Sequence, residues 1–203
     1  MTEPKHFADR EEEHHLWKEL TEGNEAALAA LMRSHYKPLL NYGYKFIKDE
    51  EFIKDCIQDT FIEIWNKRKQ LSEPDSVRAY LFICLRRKVF RNGSKLKLFR
   101  QHDTTFLDET DLSVEFSPEW WMIKEESMAE RTRDMANMLN ALPRRQREVV
   151  YLKYYQELTR EEIAGLMAIA PQTVSNLLQM AFDYLRRNGR TTFISLLFSV
   201  LMN

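Results

Sequence analysis

Apolar residues in the first half of the chain recur at the spacing of amphipathic helices. The clearest stripe consists of Ile53, Ile57, Phe61, Ile64 and Trp65. A helix capped by Asn24 is predicted before it, and Pro38 is expected to interrupt or kink that helix. Another helix is expected to begin near Asp75, a good N-cap. No segment alternates convincingly between apolar and polar residues, so the pattern predicts an all-α fold.

The second half of the chain adds explicit signals for where helices start and stop. One amphipathic helix carries Met128, Met135, Leu139 and Leu142, and is expected to end at Pro143; a second carries residues 149–154. Thr159 and Glu162 form a capping box that begins a short helix over residues 160–167. Pro171 then suits the first position of a longer helix. Short helix, tight turn and longer helix predict a helix-turn-helix.

Charge is segregated along the chain, although the net charge is only −1. Residues 1–100 carry 19 Lys/Arg against 16 Asp/Glu, and residues 128–203 carry 10 against 7. Residues 101–127 carry one Lys and eight acids. We therefore predict two small helical domains, over residues 10–100 and 128–190. An acidic linker over residues 101–127 joins them, and an apolar tail over residues 191–203 follows.

Composition argues against several classes of protein. The first fifteen residues are polar and acidic, and no run of eighteen apolar residues occurs, so neither a secretory signal nor a membrane span is expected. Two isolated cysteines, Cys56 and Cys84, favour reduced thiols and a cytoplasmic protein. The histidines lack metal-ligand spacing. With no nucleophile–base set and no Gly-rich phosphate loop, we expect no catalytic residues, no metal, no cofactor and no enzymatic activity.

Two polar features of the first domain exceed what a helical core requires. Asp55, Gln58 and Asp59 share one helix stripe, which periodicity alone interprets as a solvated face. Residues 86–100 contain seven Lys/Arg and no acid, with aromatic residues interleaved. Such a run suits a nucleic-acid backbone and unpaired bases, while a solvated basic helix end is the alternative.

Two sets of motifs occur in a fixed order along the chain. The first is LTEGNEAALAALMRSHYKPLL, DCIQDTFIEIW and SVRAYLFICLRR, and the second is LPRRQREVVYLKYYQELTREEIAGLMAIAPQTVSNLLQMAFDYLRR. They resemble the second-region and fourth-region domains of bacterial RNA polymerase sigma factors. In length and order the chain resembles the compact extracytoplasmic-function (ECF) sigma factors, over residues 16–100 and 128–188. The resemblance implies a non-enzymatic subunit that directs core polymerase to promoters.

The resemblance assigns roles within the first domain. It implies that Asp55, Gln58 and Asp59 bind the clamp helices of the largest polymerase subunit, supported by Phe61 and Trp65. It also implies that the helix from Val77 and the basic run after it melt the −10 promoter element and hold one DNA strand. The residues assigned to single-stranded DNA are Tyr80, Arg86, Arg87, Lys88, Phe90, Arg91 and Lys95. Two of these positions depart from the family, which usually has Asn at Arg87 and Asp at Arg91.

The resemblance also implies that the second domain binds the flap of the second-largest polymerase subunit and the −35 promoter element. The residues assigned to duplex DNA are Arg160, Gln172, Thr173, Ser175, Asn176 and Gln179. Departures from the family are sharper here: Ala168 replaces the turn Gly, and no Lys or Arg occurs over residues 161–185. The absence of phosphate-binding cations predicts weak −35 binding. One hypothesis is that targeting is shared with a partner, such as an activator or an RNA-guided DNA-binding protein. The alternative is an ordinary sigma factor with a permissive −35 element, anchored by Arg144, Arg145, Arg186 and Arg187.

Other interpretations remain open from the sequence. A stand-alone helix-turn-helix regulator would bind duplex DNA without polymerase. A degenerate sigma-like protein would bind polymerase, or an anti-sigma factor, without opening promoters. The tail over residues 191–203 has eight apolar residues and is expected either to pack on the second domain or to contact a protein partner.

Overall fold

The computed structural model describes residues 5–99, 116 and 126–188, and within these residues every regular element is helical. The helices are α1 (Lys5–Glu22), α2 (Glu25–Gly43), α3 (Glu50–Lys67), a 3₁₀ helix (Arg68–Gln70), α4 (Val77–Phe99), α5 (Glu126–Asn140), α6 (Arg144–Tyr154), α7 (Arg160–Met167) and α8 (Pro171–Asn188). The predicted all-α class is confirmed. None of the described helices is long and apolar enough to cross a membrane.

The chain divides into two compact units between residues 109 and 110. Each unit contains one of the two predicted helical domains. Of the predicted acidic linker, the structure describes only Phe116 and residues 126–127, which begin α5. The apolar tail lies outside the described residues entirely. The domain boundaries and the linker therefore stay predictions.

The first unit is built from α1 to α4, with α2, α3 and α4 in mutual contact. Asn24 caps α2 by accepting hydrogen bonds from the amides of Ala26 and Ala27, as predicted. Gly43, the last residue of α2, lets that helix approach α3 closely, because a Cβ there would lie 2.2 Å from Ile53. The predicted core stripe of α3 is buried at Ile53, Ile57, Phe61 and Ile64, while Trp65 at its end is half-buried.

Three local predictions differ from the structure. Pro38 does not interrupt its helix, because α2 continues through it to Gly43. Helix α4 begins at Val77, and the amide of Ala79 donates to Oγ of Ser76, 3.2 Å away. Ser76 rather than Asp75 therefore caps α4, because the capping oxygen must lie two or three residues before the amide that it accepts from. Leu142 is buried beyond the end of α5, which closes at Asn140.

The second unit contains the predicted helix-turn-helix. The capping box is confirmed: the amide of Glu162 donates to Oγ1 of Thr159 at 3.2 Å, and the amide of Thr159 donates to the Glu162 carboxylate at 2.6 Å. Helix α7 ends at Met167, and its C-cap residue Ala168 has a left-handed φ of 53°. Pro171 starts α8, which buries Val174, Ala181 and Leu185. The polar edge of α8 is thereby left facing outward.

Candidate polymerase and nucleic-acid surfaces

Helices α2 and α3 form a groove of about 570 Å³ on the first unit, the α2–α3 groove. Helix α3 begins at a capped end, where the amide of Phe52 donates to the Asp49 side chain. Four of the predicted clamp-binding residues line the groove: Asp55, Gln58, Phe61 and Trp65. The fifth, Asp59, is exposed on α3 but is not part of the groove lining.

The groove combines acid, amide and apolar side chains. Asp55 and Gln58 are exposed, and neither has a hydrogen-bond or ion-pair partner among the residues that the structure describes. Lys54 lies 2.9 Å from both Glu50 and Glu51, so its charge is matched within α3. Those contacts raise the pKa of Lys54, while a hydrogen bond from the Tyr44 hydroxyl, together with that from Lys54, lowers the pKa of Glu50. The acidic group left for a partner is Asp55.

The sequence pattern did not identify the apolar part of this groove. Ile62 on α3 is 49% exposed and lies among the groove residues. Leu28, Met32 and Tyr36 of α2 form the opposite wall. The sequence signal available for this surface was Ile62, an apolar residue outside the core stripe of α3.

Trp65 is oriented at the end of the groove by Arg68. The guanidinium carbon of Arg68 lies 4.2 Å from the centre of the Trp65 ring, and its Nη1 donates to the Trp65 carbonyl at 2.8 Å. A cation over an indole face is an attractive electrostatic contact. The 3₁₀ helix that follows α3 therefore positions the indole.

The residues predicted to bind single-stranded DNA fall into two sets on α4. Tyr80, Arg87, Lys88 and Arg91 line a cavity of about 290 Å³ between α3 and α4, the α3–α4 cavity. Arg86 and Phe90 instead lie against α2 and the residues after it. Lys95 lies on α4, and its side chain is outside the described set.

The α3–α4 cavity has exposed cations at its edge and a polar pair inside. Arg87 and Arg91 are exposed. Lys88 is only 7% exposed; its Nζ lies 2.8 Å from Glu63 and 3.3 Å from the Asp59 carbonyl. Hydrogen bonds from Lys67 and Lys88 lower the pKa of Glu63 to about 2. The charge of Lys88 is therefore paired within the unit. Lys67 also lines the cavity, and the sequence analysis did not identify it.

Aromatic contacts fix the remaining residues of this set. Tyr80 packs edge-on against Trp17 at 5.2 Å between ring centres, and burial raises the pKa of Tyr80 to about 12. Arg86 donates to the hydroxyl of Tyr42 at 3.2 Å, and its guanidinium lies 5.3 Å from the Phe90 ring and 5.6 Å from the Phe46 ring. Arg86 is half-buried, so its charge is tied to the core of the unit.

The face of α8 that was predicted to read duplex DNA is polar and uncharged over most of its length. The Gln172 amide donates to Asn176 at 3.1 Å, and the Ser175 hydroxyl contacts the Pro171 carbonyl at 3.5 Å. Gln179 is exposed, and Thr173 is half-buried. Met180, which the sequence suggested as part of a partner-binding face, is 56% exposed. The Gln172 and Asn176 side chains are thus hydrogen-bonded to each other, so part of their hydrogen-bonding capacity is not available to base edges.

Arg160, the cation among the residues predicted to bind duplex DNA, forms an ion pair with its neighbour Glu161. Arg160 at the start of α7 is exposed, and its Nη2 lies 2.8 Å from the Glu161 carboxylate. That contact lowers the pKa of Glu161. Across the described ranges, no three His, Cys, Asp or Glu side chains gather as a metal site would require.

Comparison with known proteins agrees with this geometry. The sigma-70 region 2 family matches residues 31–97, and the sigma-70 region 4 family matches residues 132–185. The RNA polymerase sigma factors SigV and YlaC of Bacillus subtilis are 22% and 25% identical over 161 residues, and the alignments cover 79% and 78% of this chain and 90% and 89% of theirs.

Solved structures share the fold. CnrH in complex with the cytosolic domain of CnrY, and the sigma factor RpoE in complex with the anti-sigma factor NepR from Bartonella quintana, both superpose with a TM-score of 0.54 at 19% identity. The matches cover 87% and 80% of this chain and 96% and 98% of those chains. The chain therefore contains a sigma-70 region 2 domain and a sigma-70 region 4 domain, and it is homologous to the extracytoplasmic-function sigma factors.

Proposed function

We propose that this protein directs core RNA polymerase to promoters and opens them, as a cytoplasmic, non-enzymatic subunit without a cofactor. Homology to sigma factors supports a role in transcription initiation. One observation on this chain supports the polymerase contact: Asp55 and Gln58 stand exposed and without partners, among the described residues, beside the exposed apolar side chain of Ile62. An exposed apolar patch rimmed by polar groups is typical of a protein-binding surface.

The partner proposed for the α2–α3 groove is the clamp-helix coiled coil of the largest subunit. A carboxylate suits an arginine side chain, which can form a forked pair of hydrogen bonds with it, and an amide oxygen can accept a further hydrogen bond. The apolar walls of the groove supply the buried area that such rim contacts lack. The flap of the second-largest subunit is the partner proposed for the region 4 domain.

The polymerase contact is tested by replacing both acids of the stripe. Asp55→Ala with Asp59→Ala should weaken binding to core polymerase by at least about tenfold, since a hydrogen bond across the interface contributes on the order of 1 kcal/mol. Both positions are exposed, so the helical circular dichroism spectrum should not change. Asp75→Ala, an exposed acid outside the groove, is the matched control. Unchanged affinity of the double variant would contradict the proposal.

We further propose that the α3–α4 cavity engages the melted −10 strand. Its support is the pairing of exposed cations, Arg87 and Arg91, with a half-buried ring, Tyr80, at the mouth of one cavity. Cations follow the phosphates, and a cavity of this size suits an unstacked base. Arg87→Ala with Arg91→Ala should suppress permanganate reactivity of the non-template strand. Unaltered reactivity would favour a sigma-like protein that binds polymerase without opening promoters.

We also propose that promoter targeting is shared with a DNA-binding partner. The support is that no Lys or Arg occurs over residues 161–185, which include most of α8, and that Gln172 on α8 is hydrogen-bonded to Asn176. The partner would be an activator or an RNA-guided DNA-binding protein, which reads sequence by base pairing. Arg144, Arg145, Arg186 and Arg187 would anchor the domain if it bound the −35 element alone. An anti-sigma factor is a further proposed partner, because CnrH and RpoE were solved with CnrY and NepR.

Transcription start mapping with purified holoenzyme separates these possibilities. Starts that require an added DNA-binding partner, at a fixed distance from its site, would support shared targeting. Strong starts without any partner, abolished when the −35 sequence is scrambled, would contradict it. A gel shift of the protein alone on duplex DNA addresses the stand-alone regulator, which would bind without polymerase.

A further inference from the structure

In the second unit, both main-chain polar groups of Phe116 are hydrogen-bonded to the Asn140 side chain. The Phe116 amide donates to Oδ1 of Asn140 at 2.7 Å, and Nδ2 of Asn140 donates to the Phe116 carbonyl at 2.9 Å. Phe116 is 3% exposed, although it belongs to the strongly acidic stretch over residues 101–127. One amide therefore satisfies both main-chain groups of one residue.

This pattern is a form of main-chain recognition. Two hydrogen bonds in opposite directions to one residue are what a neighbouring β-strand would supply. An Asn side chain can replace the strand because it carries a donor and an acceptor in one plane. Recognition of this kind does not depend on the identity of the bound side chain, so the ring must add the selectivity.

Aromatic side chains provide that selectivity. The Phe116 ring centre lies 5.4 Å from that of Tyr155, at an interplanar angle of 53°. Tyr155 in turn stacks on Tyr151, 5.8 Å away at 19°. Asn140 is the last residue of α5, and Tyr155 directly follows α6, so the ends of two consecutive helices bring these groups together.

We propose that Asn140 and Tyr155 form a slot for an aromatic residue of a peptide segment, and that its ligand is the chain's own acidic segment, anchored at Phe116. The anchor divides the 26 residues between α4 and α5 into 16 before Phe116 and 9 after it. Sixteen residues reach at most about 55 Å. The anchor thus determines how far the acidic segment extends from the region 4 domain, whether or not the proposed promoter function holds.

The slot should be occupied by its own segment unless a competitor is present in excess. Tethering gives a ligand on the same chain an effective concentration in the millimolar range. A partner that offers an extended segment with a Phe would have to exceed that concentration, or bind elsewhere as well. The acidic segment would then be released from its anchor.

Hydrogen exchange of the full-length chain at single-residue resolution tests the anchor directly. The Phe116 amide should exchange at least about tenfold more slowly than an unstructured amide, as a hydrogen-bonded group does. Asn140→Ala should restore the unstructured rate at Phe116 while the amides of Ile163 and Val174 keep their protection. Fast exchange at Phe116 in the wild-type chain, or slow exchange that Asn140→Ala does not change, would overturn the proposal.

A peptide added in trans tests the slot as a binding site. The probe is a fluorescent peptide with the sequence of residues 111–121. It should bind the full-length Phe116→Ala chain at least about tenfold more tightly than the wild-type chain, whose slot is occupied. The same peptide with Ala in place of Phe116 should not bind. Equal binding to both chains, or binding that does not need the Phe, would overturn the proposal even if the exchange result held.

Discussion

The ammonium group of Lys88 lies 2.8 Å from a carboxylate oxygen of Glu63 and joins α4 to α3. It also donates to the Asp59 carbonyl, within the acidic stripe of α3. The pair thus connects the α3–α4 cavity, which both residues line, to Asp59 of the proposed clamp-binding set. Lys67 donates to the other Glu63 oxygen at 2.7 Å, and Nη2 of Arg91 lies 4.0 Å from Glu63, so three cations surround this carboxylate.

Replacing Glu63 should destabilise the region 2 domain. Glu63→Ala leaves the buried Lys88 with one hydrogen bond fewer, and removing the partner of a buried charged group costs about 1–3 kcal/mol. Because the Glu63 side chain is 40% exposed, we expect the lower end of that range. Urea unfolding followed by exchange of α3 and α4 amides measures the change. Glu12→Ala, at an exposed position of α1, is the control, and equal stability of the two variants would contradict the prediction.

The same carboxylate makes stability depend on pH. The pKa of Glu63 is lowered to about 2 in the folded chain, from an ordinary value of 4.5. Its contribution is therefore complete above pH 4.5 and is lost as the pH falls toward 2. The free-energy difference between the wild type and Glu63→Gln should shrink over that interval. A difference that stays constant from about pH 6 to about pH 3 would argue against a charge effect.

Ile62 should contribute to polymerase binding without contributing to the fold. Its side chain is 49% exposed, so Ile62→Ser should change stability by less than about 0.5 kcal/mol. Removing the apolar area that it would bury in a complex should weaken core binding by about tenfold, measured by fluorescence anisotropy. Met180→Ser removes the other large apolar side chain that is exposed among the described residues, and serves as the matched control. Equal effects of both variants would point to a nonspecific cause.

Replacing Arg86 should affect the stability of the domain, whereas replacing Arg87 and Arg91 on the same helix should affect DNA binding. Arg87→Ala with Arg91→Ala should lower the salt slope of promoter binding by about 0.7 for each single-strand phosphate that is no longer neutralised. Arg86→Ala should leave that slope unchanged and instead destabilise the domain by about 1–2 kcal/mol, since it removes the Tyr42 hydrogen bond and two cation–ring interactions. Salt-dependent filter binding and thermal unfolding separate the two outcomes. A lowered slope in Arg86→Ala would show that its charge reaches DNA.

Ala168 should be a site where stability can be raised. Its φ of 53° is left-handed, where an L-residue is about 1–2 kcal/mol less favourable than glycine. Ala168→Gly should therefore raise the unfolding midpoint of the region 4 domain. Part of this gain is offset because glycine gives the unfolded chain more conformational freedom. Ala170→Gly, two residues on and not at positive φ, should lower it. Scanning calorimetry of the full chain measures both, and a fall for Ala168→Gly would refute the argument.

The sequence alone determined the helices and their order, because the signals involved are local. The Asn24 cap, the Thr159–Glu162 capping box and the Pro171 start connect groups within a few residues of each other. Their geometry follows from the helical repeat. The Asp75 prediction failed by one residue for the same reason, since Ser76 offers an equally good capping oxygen.

The tertiary structure alone decided which polar side chains remain available for partners. Periodicity places Arg86, Arg87 and Lys88 on α4 but does not say what faces them. Tyr42, 44 residues before Arg86, and Glu63, 25 residues before Lys88, take up two of these cations. Phe116 meets Asn140 across 24 residues in the same way. Contacts at such separations depend on how the helices pack. The pattern of residues along the chain does not show which residue packing will bring next to a given side chain.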